Sequence, residues 1–165
     1  MKIRMSSVLI TFSLVCVGFL LNAQAVNPPP DGGYPSKNTA EGQDALFSVT
    51  TGHSNTANGF QVLKANTTGD RNTANGAFAL FSNQTGSENT ATGYAALFFN
   101  RGSLNTATGI GALHDNATGS HNTANGQRAL YDNFSGSRNT GNGSGALANN
   151  NNGRRQHSQR FSGAR

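Results

Sequence analysis

The sequence predicts a β-rich repeat solenoid of the β-roll kind, built from 17-residue coils, each with a short strand and room for one helical turn. Three observations predict it. First, Asn-Thr opens a unit at Asn38, Asn55, Asn72, Asn89, Asn105, Asn122 and Asn139, with spacings of 17, 17, 17, 16, 17 and 17. Second, leucine recurs in one slot of every unit. Third, the chain is only 35% hydrophobic and 12% charged, with 21 glycines among 165 residues, too few large apolar side chains for a thick core. A short coil cannot bury its own apolar face, but stacked coils share one.

Each unit approximates Asn-Thr-Ala-x-Gly-x-x-Ala-Leu-x-x-Asn-x-Thr-Gly-x-x. Leu46, Leu63, Leu80, Leu97, Leu113, Leu130 and Leu147 form the expected internal ladder, each preceded by alanine or, in one unit, Val62. Ala40, Ala57, Ala74, Ala91, Ala107 and Ala124 form a second inward column, with Gly141 in the last unit. Alternation within Thr-Ala-x points alanine inward and its neighbours outward. Gly42, Gly59, Gly76, Gly93, Gly109, Gly126 and Gly143 mark a tight corner that calls for positive φ or no side chain. Gly52, Gly69, Gly86, Gly102, Gly119, Gly136 and Gly153 mark the other. The leading asparagines, Asn55, Asn72, Asn89, Asn105, Asn122 and Asn139, are expected to stack as an amide ladder. The x-x-Ala-Leu-x-x-Asn stretch suits either a helical turn or an irregular side. The one short spacing falls where other units read Asn-x-Thr/Ser-Gly and this one reads Asn100-Arg101-Gly102.

The flanks read differently. Residues 1–25 have the plan of a secretory signal peptide: Lys2 and Arg4, an apolar run from Val8 to Leu21, then Ala23 and Ala25 before a cut. That run is short for a membrane span, which needs about 20 residues. Cleavage removes Cys16, the one cysteine, so the exported chain has no disulfide and no transmembrane segment. Residues 26–37, with Pro28-Pro29-Pro30, Gly32-Gly33 and Pro35, read as a linker. Residues 38–153 hold seven repeats. Residues 154–165 form a basic tail that reads as an eighth repeat out of frame. One permitted back-translation of it, shifted by a nucleotide, encodes Gly-Ala-Asn-Thr-Ala-Asn-Gly-Phe-Gln-Ala-Leu, with Asn at position 156.

The formal net charge of +5 belongs to the ends. Between Val26 and Gly153 there are six basic and seven acidic residues, so no nucleic-acid partner is expected. The histidines occupy different slots and no metal-ligand spacing recurs. Asp44, Asp70, Glu88, Asp115 and Asp132 are scattered, and no nucleophile–base–acid set stands out. The chain therefore reads as a non-enzyme without cofactor or metal. Glycosylation triplets begin at Asn66, Asn83, Asn116, Asn133 and Asn142. Four share one slot, which corner geometry explains without sugar.

The recurring Asn-Thr-Ala-x-Gly, as in Asn89-Thr90-Ala91-Thr92-Gly93, resembles the head repeats of trimeric autotransporter adhesins of the YadA type. It is similar also to the repeats of bacterial surface and phage-tail-like fibre proteins. The likeness spans Asn38 to Gly153, and the 17-residue period is somewhat longer than the coil of those heads. The resemblance implies a β-roll that trimerises side by side and displays an adhesive surface, as a homotrimer or part of a parent fibre, secreted or at the cell surface, with a surface ligand it does not name. It transfers no catalytic residue. Two classes are thus expected: an exported structural and adhesive module, or an ice-binding solenoid using outward pairs such as Thr56/Asn58, Thr90/Thr92 and Thr106/Thr108. Phe47, Phe81, Phe98 and Tyr131, after the ladder leucines, and Phe60, Phe78, Tyr94 and Ile110, near the first corner, either pack beneath the coils or form an outward apolar stripe.

Overall fold

The computed structural model describes residues 35–153 and 157–159; the segment read as a signal peptide and most of the expected linker and basic tail lie outside them. The chain is a β-solenoid of about seven turns. A 3-10 turn at Pro35–Lys37 leads into β1 (Thr39–Glu41), β2 (Thr56–Asn58), β3 (Thr73–Asn75), β4 (Thr90–Thr92), β5 (Phe99–Asn100), β6 (Thr106–Thr108), β7 (Asp115–Asn116), β8 (Thr123–Asn125), β9 (Thr140–Asn142) and β10 (His157–Gln159). Eight of these form one parallel sheet in the order β1-β2-β3-β4-β6-β8-β9-β10, while β5 and β7 pair separately.

Register follows the repeat. Thr56 lies opposite Thr73, Ala57 opposite Ala74, and Asn58 opposite Asn75. The short unit keeps the same pairing, with Thr90 opposite Thr106, so the missing residue is absorbed at the corner after Asn100 and not in the sheet. The tail strand lies where the period places it, His157 opposite Thr140 and Gln159 opposite Asn142. Ser36 also belongs to the coil pattern, its carbonyl accepting the Ser54 N–H at 3.0 Å.

Within each full-length strand the central residue faces inward, and the exposed–buried–exposed pattern recurs from β1 through β8. The alanines are small enough for the sheet to approach the opposite wall, where Leu46, Leu63, Leu80, Leu97, Leu113 and Leu130 are 0–1% exposed. Leu147, in the last repeat, is only partly buried against this core.

The stretch around each leucine contains no helix; it is a succession of turns. Every ladder leucine has φ between 49° and 52°, and the residue two before it is also left-handed, as at Asp44, Gln61, Phe78 and Arg128. A left-handed side-chain-bearing residue costs about 1–2 kcal/mol. Full burial of a leucine contributes about 1.5–3 kcal/mol, enough to offset the left-handed cost at the leucine itself. Stacking also satisfies the backbone that a helix would have satisfied. The Leu63 N–H reaches the Ala79 carbonyl at 3.0 Å in the next coil, and the Gln61 N–H reaches the Gln43 carbonyl at 2.9 Å in the previous one.

The two glycine columns serve different ends. Gly42 through Gly143 take φ from 106° to 132°, a region closed to other residues. The other column has ordinary φ but no spare room: a Cβ on Gly52 would lie 2.6 Å from the Gly69 carbonyl oxygen. It is required by the rise between coils.

Candidate functional site

The interior carries polar ladders. Asn72 donates from its backbone N–H and from Nδ2 to Asn55 Oδ1, at 2.9 and 3.1 Å, and from Nδ2 to the Gly86 carbonyl at 2.8 Å. Its own Oδ1 accepts both donors of Asn89. Both amide hydrogens and both oxygen lone pairs are therefore used, which is what allows an amide at 0% exposure. The same rung recurs at Asn55, Asn89 and Asn122; Asn105 and Asn139 keep the backbone and glycine-carbonyl bonds but turn Nδ2 towards Asn100 and Asn133.

A second ladder runs beside it through Asn66, Asn83, Asn100, Asn116, Asn133 and Asn150. Asn83 Nδ2 donates to Asn66 Oδ1 and to the Gly86 carbonyl, both at 2.9 Å. These asparagines include four of the five sequon positions, and all four are 0% exposed. Beyond the short coil the ladders touch, with Asn139 Nδ2 donating to Asn133 Oδ1 at 3.1 Å. A third ladder uses serine: the backbone N–H groups of Asp70, Ser87, Ser103 and Ser120 each donate to the serine hydroxyl one coil on. The two asparagine ladders hold the scaffold and are closed to a ligand; the serine ladder is part-buried.

Three outer surfaces remain. The sheet face shows two columns, the threonines of each strand and, two residues on, Glu41, Asn58, Asn75, Thr92, Thr108, Asn125 and Asn142. Strands sit about 4.8 Å apart and the columns about 6.6 Å apart, which makes this a regular lattice of hydroxyls and amides with one carboxylate at Glu41.

The second surface is aromatic. Phe81, Phe98, His114 and Tyr131 stack face to face in successive coils, with centroids 5.0, 5.1 and 4.8 Å apart and planes within 12°. Phe78 packs edge-on against Phe60 and Tyr94 at 5.2 and 5.7 Å, joining the stack to the first corner. Arg128 covers Tyr131 at 5.5 Å. The rings lie outside the alanine–leucine core, and Tyr94 and Ile110 are each 56% exposed. The outward arrangement is the one adopted. No protein-family model matches the chain, and comparison with curated proteins and with solved structures finds no match.

The third surface is a groove of about 600 Å³ next to the short coil, lined by residues that include Phe99, Arg101, Asp115, Asp132 and Phe134. Ion pairs elsewhere are local. Arg71 meets Glu88 at 3.2 Å and His53 meets Asp70 at 3.3 Å. No group of three or more histidine, cysteine or acidic side chains among the described residues could hold a metal. No helix among them is long and apolar enough to cross a membrane.

Asp44 is held below its ordinary value of 3.8, first by the hydrogen bond from Lys64 and then by that from Gln61, at 3.0 and 3.1 Å. A carboxyl lowered by folding adds stability above its ordinary value and loses it as pH falls through the folded one. Lys64→Ala is expected to move the Asp44 titration up towards 3.8, read by carbon-13 NMR of the side-chain carboxyl. An unmoved titration would leave the Lys64 contact without electrostatic effect.

Proposed function

We propose that the chain is an exported structural module whose solenoid displays an adhesive face, and that its copies associate side by side. The aromatic surface carries this reading. Phenylalanine and tyrosine cluster on the outside of the coils, although the interior is short of large apolar groups, and an exposed apolar patch marks an interaction surface. The signal-like amino terminus supports export, and the Asn-Thr-Ala-x-Gly repeat supports kinship with trimeric surface fibres.

The test is a triple substitution in the Gly+1 column, Phe60→Ser, Tyr94→Ser and Ile110→Ser, followed by light scattering and adsorption to an apolar surface. The unaltered chain is expected to have three times its formula mass, and the variant to dissociate and lose adsorption while keeping its circular dichroism. A wild-type chain that is a cooperatively folding monomer at micromolar concentration overturns the association, and undiminished adsorption of the variant overturns the adhesive face.

One observation favours a second reading, an ice-binding solenoid. Thr39, Thr56, Thr73, Thr90, Thr106 and Thr123 occupy one exposed column in strict register. A gap between melting and freezing points that Thr90→Tyr abolishes would establish it. No gap would dismiss it.

A further inference from the structure

We propose that the groove beside the short coil is a binding site for an uncharged, extended glycan. It rests on the reading above only in placing the chain outside the cell, where glycans are met.

The groove runs along the solenoid axis, and two aromatic side chains stand in it at slots that other coils fill with small or polar residues. The Phe99 slot holds Ala65, Ser82, Asp115 and Asp132 in neighbouring coils, and the Phe134 slot holds Gln84, Arg101, Ala117 and Asn151. The rings are 50% and 59% exposed. The orientation of Phe99 follows from its neighbours. Both faces of Phe98 are covered by Phe81 and His114, and both faces of His114 by Phe98 and Tyr131. Phe99 is nearly perpendicular to Phe98 and His114, at 76° and 81°. With their faces taken, those two rings offer their edges to one face of Phe99, and its other face is open. The result is a flat apolar platform fixed from behind by a rigid stack. Phe134 sits two coils further on, about 10 Å along the axis.

The rest of the lining is polar and forked. Asp115, Asp132, Arg101 and Gln84 present carboxylate, guanidinium and amide groups, suited to pairs of adjacent hydroxyls. An apolar partner would strand the two carboxylates away from water, at a cost. A polyanion would be repelled by them. One guanidinium, that of Arg101, lies in the same groove as the two carboxylates, and His114 Nδ1 lies 2.9 Å from Asp115 Oδ1, so the lining carries only a small net negative charge. What matches flat apolar faces alternating with hydroxyl-binding forks is a pyranose chain, whose rings are apolar on their faces and hydroxylated at their rims. The groove is open on one side, so the chain would keep its outer edge in water.

The experiment titrates the full chain with cellohexaose, maltohexaose and chitohexaose by calorimetry, with hexalysine and a sulfated hexasaccharide as charged probes. At least one neutral hexasaccharide is expected to bind with little salt dependence. Phe99→Ala is expected to weaken it about tenfold or more, while Phe47→Ser, at an exposed ring in the first coil outside the groove, leaves it unchanged. Phe99 is surface-exposed, so circular dichroism should not change. Absence of binding by all three at millimolar concentration overturns the site. So does binding that Phe99→Ala and Phe134→Ala leave intact, or a salt-sensitive preference for hexalysine or the sulfated probe. None of these outcomes bears on surface adsorption through Phe60, Tyr94 and Ile110.

Discussion

Asn89→Asp is expected to destabilise the solenoid by about 3–5 kcal/mol at neutral pH, the range for an uncompensated buried charge. The substitution alters shape hardly at all. It replaces an amide nitrogen that donates to Asn72 Oδ1 at 3.1 Å and to the Gly102 carbonyl at 3.0 Å with an oxygen facing both acceptors. The new carboxyl is buried, and folding raises its pKa. The variant is then most stable below the ordinary carboxyl value of about 3.9 and loses stability as pH rises from there through the raised value. Urea unfolding on both sides of that window measures it. Asn58→Asp, the same change on the exposed sheet face, should cost less than about 0.5 kcal/mol. Equal midpoints for the two variants would show that the rung is not sealed from water.

Gly102→Ala tests the stacking distance instead of the chemistry. The added Cβ would overlap the carbonyl oxygen of Gly119 in the next coil and lie 2.8 Å from its carbon. The obstacle is backbone, so no flexible side chain can move aside to make room. The expected loss is about 3 kcal/mol or more, the upper range of overpacking. Hydrogen exchange should show the coils on either side of Gly102 opening first. Gly111→Ala is the control. Gly111 has φ 61°, and its Cβ would meet the Tyr131 ring at 3.2 Å, so it faces a side chain in a conformation that leucines adopt in this same protein. Its cost should be about 1–2 kcal/mol. A Gly102→Ala variant as stable as Gly111→Ala would mean that the coils can spread.

The inward columns were legible because recurrence and residue type agree. Leucine in a fixed slot belongs inside, and the Thr-Ala-x alternation needs only the strand period. The amide ladder at Asn55 and its successors was legible for a related reason, since an invariant slot in a stacked repeat places like above like. That logic applied equally to Asn66, Asn83, Asn116 and Asn133, but the glycosylation triplet and the adjoining Gly column drew them to the corner. A corner asparagine and a buried one differ in the direction of the side chain, which the triplet does not encode. The serine ladder escaped because its first members are His53 and Asp70, and its acceptors satisfy backbone that no local pattern shows to be unsatisfied. Left-handed leucine contradicts intrinsic preference, so no propensity argument could reach it. The aromatic side chains were ambiguous on periodicity alone, because their slots mix Phe with Lys64, Ala77 and Gln127. Position in a period does not say which side of the wall a residue occupies when its column is chemically mixed.

The short coil has a bearing on what can be built into this molecule. One residue is missing between Asn100 and Gly102, yet the sheet on one side and the leucine column on the other keep their register. Length variation at that corner is thus uncoupled from the scaffold. The corner is a permissive insertion point: a peptide epitope, reactive handle or longer loop grafted after the second asparagine of any unit would project from the wall without breaking the rungs above and below. Repeating the graft in successive units would array the inserts along the axis at about the strand spacing of 4.8 Å, and grafting in alternate units would double it.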